Sequence, residues 1–153
     1  MLTKLSIAIL SAWLALTLFT DFVVIRTAFE LTGDFFKAGD IGIALFGKLN
    51  NFEIIFGSFI LVEAVFKRKI LPLILSLILF SIALIYFSYL TSKISALTEL
   101  WKEAEKAGVL SMGNISDVQA EHQFFHRLYI GLDTLKMILL AALLSIKISR
   151  RDA

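Results

Sequence analysis

The chain contains no cysteine among its 153 residues, so disulfides, thiolate metal sites and cysteine nucleophiles are excluded. Proline occurs once, at Pro72, and charged residues are only 18% of the total, too few to cover a soluble domain. The net charge of +2 is too small to attract nucleic acid, and the basic residues gather at the edges of apolar runs instead. There is no phosphate-binding glycine loop, no GxSxG elbow and no HExxH pair. The sequence therefore gives no reason to expect an enzyme or a bound cofactor. What it has in abundance is apolar surface: 58% hydrophobic residues, 14 of them phenylalanine, and a mean hydropathy of +0.84. A chain of this size and composition reads as one integral membrane domain whose main partner is the lipid bilayer.

Four spans are expected, making an all-α, four-helix transmembrane bundle. The first covers residues 5–25, long enough to cross a hydrocarbon core of roughly 30 Å. Its apolar run continues to Ile25, past the reach of a signal peptide, so an uncleaved first helix is expected. Thr32-Gly33 breaks the pattern and Asp34 has the character of an N-cap. Residues 35–51 then place Lys37, Asp40, Lys48 and Asn51 on one face, an amphipathic segment lying at the membrane surface or feeding the short second span, 52–66. The third span, 70–92, comes after the basic turn Lys67-Arg68-Lys69, with Pro72 in its first turn. It extends into KISALTELWKEAEKAG, read as a surface or partner-docking helix with Gly108 as its stop signal. After a loop at Gly113-Asn114, Ser116 and Gln119 have the spacing of a capping box that opens the fourth helix, whose span covers 126–148.

With four spans, Lys4, Lys67, Arg68, Lys69, Lys147, Arg150 and Arg151 all fall on one side. Short basic connections stay in the cytoplasm, so both termini are expected inside, in a bacterial cytoplasmic membrane.

The polar residues of the last span carry the functional question. His122, His126, Tyr129, Asp133 and Lys136 are spaced by four, three, four and three, which puts them on one stripe of a helix. That stripe runs straight into the apolar stretch Met137 to Ile146. Hydrocarbon offers such groups no partner, so they are expected to meet others of their kind inside the bundle. Antiparallel packing brings Asp21 and Arg26, then Asn50, Asn51 and Glu53, and Tyr86 and Tyr89, to a similar depth. One shared polar cluster, open toward the outside, is the expectation.

Two accounts of this cluster stand side by side. In the first it is structural: Asp133 neutralises Lys136 three residues on, Glu53 pairs with Arg127, and hydroxyls and amides close the network. In the second it handles an ion, a proton or a solute, with Glu53, Asp133 and Lys136 in the working roles. A third use is metal binding by His122 and His126, one turn apart, with Asp117 or Glu121 nearby. Haem is a poorer fit, because imidazoles on one helix cannot clasp a porphyrin from opposite faces. Glu63, near the inner end of the second span, reads as an anchor reaching the Lys67–Lys69 turn.

Three stretches carry a resemblance: Phe19-Thr20-Asp21-Phe22-Val23-Val24, Leu45-Phe46-Gly47-Lys48-Leu49-Asn50-Asn51-Phe52-Glu53, and His126 through Lys136. Together they resemble a family of small, largely uncharacterised four-helix membrane proteins that includes the animal transmembrane protein linked to platinum-drug resistance. The family pattern has a proline near position 26, where this chain carries Arg26. The resemblance implies four helices and a polar site built from Asp21, Asn50, Glu53 and His126, and it implies no reaction. Small size and missing catalytic motifs favour an interaction or accessory module, as a homo-oligomer or a membrane-complex subunit. The competing reading is a small transporter or channel.

Overall fold

The computed structural model describes residues 2–106 and 114–149, and every described element is helical. Gly108, Gly113, Arg150 and Arg151 lie outside the described residues. Four helices are long and apolar enough to cross a membrane: α1 (Leu2–Thr32), α2 (Phe35–Lys67), α3 (Ile70–Lys106) and α4 (Asn114–Ser149). At 1.5 Å per residue they measure roughly 45 to 55 Å, well beyond a hydrocarbon core of about 30 Å. The surplus lies mostly at one end, where the charged extensions of α3 and α4 stand together.

The connections obey local chemistry. α1 stops at Gly33, whose φ of 58° is the left-handed conformation that glycine adopts without a Cβ penalty. Asp34 then caps α2, accepting hydrogen bonds from the backbone N–H groups of Phe36 and Lys37 at 2.9 and 3.1 Å. The backbone bond from Lys37, with that from Phe36, holds the Asp34 carboxyl below its ordinary value. α2 runs without a break from Phe35 to Lys67, so the amphipathic segment and the short second span are one helix. The α2–α3 turn reverses at Arg68, with φ of 49°. α4 is already under way at Asn114, two residues before Ser116, so the Ser116–Gln119 pair is not its opening cap.

Two helices carry a wide turn. In α1, Thr20–Val24 form a π-helical turn, and in α3, Tyr86–Leu90 do the same. Such turns insert one residue into the helical count and rotate the rest of the helix around its axis. Below its π turn α1 packs against α4 and α2 through Ser6, Leu10, Trp13 and Thr17. Above it, residues 25–32 pack on α2 and leave α4.

The core between these levels is a dry layer of Leu10, Trp13, Ile60, Leu79, Ala83, Leu140 and Leu143, drawn from all four helices. The layer depends on close approach at Gly57. A Cβ there would meet Phe80 Cδ2 at 3.1 Å and the Trp13 ring at 3.4 Å. Adding bulk at such a contact costs about 1–3 kcal/mol. Gly57→Leu is therefore expected to lower the thermal midpoint of the protein in detergent. Gly47→Leu, where the added Cβ meets nothing within 4 Å, is expected to leave it nearly unchanged. Equal midpoints for the two variants would show that the layer has slack the packing does not reveal.

Candidate functional site

The site is built outward from one buried ammonium. Lys136 on α4 is fully buried, and its Nζ lies 2.6 Å from Glu53 Oε1 on α2 and in contact with Asp133 one turn earlier on its own helix. Glu53 is also fully buried, and its Oε1 accepts a second hydrogen bond from Trp13 Nε1 on α1 at 3.1 Å. Tyr86 on α3 completes the surround, its ring 5.1 Å from the ammonium. All four helices thus contribute to holding one charge. Its geometry explains the residue types: a lysine is long enough to reach across the bundle, and two carboxylates supply the compensation that lipid withholds.

Above this pair the cluster opens. Asp133 is 5% exposed, and Asp21, in the π turn of α1, shares a cavity wall with it. Asp21 and Asp133 form part of the wall of a cavity of about 690 Å³. The remaining wall is mainly apolar and aromatic, including Phe22, Phe29, Phe36, Phe46 and Trp101, with His122 and His126 farther out. The cavity exists because the upper part of α1 has left α4 for α2.

Tyr129 belongs to the same region. Its ring stacks on Tyr86 at 4.5 Å, and the Tyr86 hydroxyl donates to the Tyr129 carbonyl at 3.2 Å. The hydroxyl of Tyr129 itself is buried, with no hydrogen-bond partner among the described residues. Asn50 is buried one turn above Glu53 and donates to Thr91 Oγ1 at 2.8 Å, fastening α2 to α3.

Several sequence candidates lie elsewhere. Arg26 is exposed and pairs with Glu30 at 2.8 Å, so it does not reach the cluster. Asn51 is exposed and donates to the Gly47 carbonyl of its own helix. Tyr89 faces outward against Phe125, and Arg127 is exposed, so Lys136 rather than Arg127 neutralises Glu53. The rings of His122 and His126 lie parallel with centroids 6.0 Å apart. Glu121 is engaged by Lys93 at 2.8 Å, and among the described residues no three His, Cys, Asp or Glu converge. Two imidazoles alone do not make a metal centre, so these residues do not fit that role.

A second buried network extends the expected contact of Glu63 with the Lys67–Lys69 turn to α4 and α1. Glu63 accepts from Lys147 on α4 and from Ser6 on α1, and Lys67 lies 2.5 Å away. Its signal was present in the spacing: Glu53 and Glu63 are ten apart on α2, as Lys136 and Lys147 are eleven apart on α4. α2 and α4 run in the same direction, and parallel helices pair such sets in order. Trp13 was also missed as a ligand of Glu53, because a lone tryptophan in an aliphatic run is ordinarily packing.

Removing one partner of a buried ion pair costs about 3–5 kcal/mol, because the other charge is left unpaired. Lys136→Met is expected to destabilise the protein by that order, read from thermal unfolding in detergent. Adding Glu53→Gln to Lys136→Met is expected to recover part of the loss. A double variant no better than the single one would mean that Lys136 acts through packing alone.

Comparison with known protein families, characterised proteins and solved structures found no match. The family resemblance therefore rests on its three short stretches alone.

Proposed function

We propose that this is a solute-handling membrane protein, in which the cavity between α1 and α4 receives a small lipid-soluble molecule and the Asp21–Asp133 pair meets its polar end. The observation that carries this reading is the cavity's wall, which is largely apolar and aromatic but includes two carboxyl groups, Asp21 and Asp133. Its volume falls in the range of ligand pockets, about 300–1,000 Å³. The buried Glu53–Lys136 pair lies behind the carboxyls and outside the cavity wall, holding them in place. This favours the solute-handling reading over the purely structural one, in which the cluster would close on itself.

An open pore is a poorer fit. Between the outer cluster and the Glu63–Lys147 network stands the apolar layer of Leu10, Trp13, Ile60, Leu79, Ala83, Leu140 and Leu143. The accessory-module reading has less support from the α3 extension. The apolar side of the α3 extension is covered by the chain's own helices: Ile94 and Leu97 are buried, and Trp101 packs on Phe35, Phe36 and His122.

The same proposal sets both termini in the cytoplasm and the cavity in the outer half of a bacterial cytoplasmic membrane. Lys4, Lys67, Arg68, Lys69 and Lys147 share the end opposite the cavity, as the positive-inside rule requires.

The absence of cysteine makes the test direct. Gly39→Cys in the cavity wall is expected to react with a membrane-impermeant maleimide applied to intact cells, and Leu140→Cys in the dry layer is not. Ser149→Cys is expected to react only after permeabilisation. Labelling of Ser149→Cys in intact cells would reverse the orientation. A Gly39→Cys chain unreactive from both sides would remove the open cavity.

A further inference from the structure

Resting on the cavity reading above, we infer that the molecule received there is a lipophilic cation, whose charge the Asp21 and Asp133 carboxyl groups meet. The argument is one of charge. The cluster holds three carboxyl groups, Asp21, Asp133 and Glu53, and one ammonium, Lys136. Glu53 and Asp133 already claim Lys136 in direct contact. Among the described residues no lysine or arginine forms an ion pair with Asp21, which shares the cavity wall with Asp133. Among the described residues no lysine or arginine lines the cavity, so an anionic solute such as a fatty acid or a phosphate would find no partner. The wall that is present suits a cation, since aromatic faces attract positive charge as well as apolar surface.

A second observation points the same way. Tyr129 lines this cavity, is more than nine-tenths buried, and carries a hydroxyl without a hydrogen-bond partner among the described residues. A ligand seated over Asp21 and Asp133 would lie beside it. The groups that face the carboxyl pair from the packed elements are Glu53 on α2, Tyr86 on α3, and His126, Tyr129 and Lys136 on α4.

The path in is the gap that the π turn creates. Phe22 and Ile25 on α1 face Ile130 and Thr134 on α4 across the cavity, and α1 does not pack on α4 at this level. A solute already dissolved in the lipid can enter sideways.

Tetraphenylphosphonium and tetraphenylborate have nearly the same shape and opposite charge, and triphenylmethane is their uncharged relative. Calorimetry with the purified full chain in detergent is expected to show binding of the phosphonium only. Asp21→Asn is expected to weaken it by about tenfold or more, the scale of a lost charge-assisted contact. Gly39→Trp, which fills the cavity without touching its charges, is expected to abolish it. Binding of the borate or of triphenylmethane, lost in Gly39→Trp but indifferent to Asp21→Asn, would overturn the cation inference and keep the cavity. Binding of none of the three would overturn both. A wild-type thermal midpoint for Asp21→Asn separates lost binding from lost fold.

Discussion

A lysine ammonium held between two carboxylates, out of reach of water, is the constraint on which the upper half of this bundle depends. Neither charge could be left alone at that depth, so Lys136 and Glu53 fix the register of α4 against α2, and the indole of Trp13 ties α1 to the same point. Other features of the region are arranged around that fixed point. Tyr86 and Tyr129 stack beside it, Asn50 fastens α2 to α3 just above, and Asp21 reaches it from the π turn.

The molecule repeats this device one level down with a different outcome. Glu63 faces Lys147 and Lys67 as well as the Ser6 hydroxyl, so this acid has more partners than it needs and the network closes. In the upper cluster the balance is reversed, with acids in excess over bases. The two levels lie ten or eleven residues apart along α2 and α4, roughly 15 Å, and the apolar layer between them keeps the charges from sharing solvent. The lower network works as a clasp, and the upper one is left with an unfilled demand.

Much of this was legible in the residue order. The spacing of His122, His126, Tyr129, Asp133 and Lys136 marks one face of α4, and all but His126 are buried. His126 is exposed because it stands on the rim of the cavity. Apolar run lengths marked out the four helices, since few sequences of such composition have another use. The structure moved those readings that relied on depth alone. Arg26 and Asn51 sit at the same level as the cluster but on the wrong sides of their helices, because depth is set by sequence distance while facing is set by helical phase. The π turns were not legible at all. A wide turn leaves no residue signature, and it changes facing without changing composition. The cavity arises from one of them, so it too was out of sight.

The wide turn at Thr20–Val24 has a consequence for how the chain tolerates change in length. One residue advances a helix by about 100°, so the turn acts as a built-in insertion that points the two halves of α1 at different neighbours. Deleting a single residue within it would restore an even winding, swing Phe22, Ile25 and Phe29 around the axis, and bring the far end of α1 back toward α4. Elsewhere in the bundle a one-residue deletion would only disrupt packing, but at this place it would convert a split bundle into a closed one. Chains of this design can thus open or shut their outer half by the gain or loss of one codon.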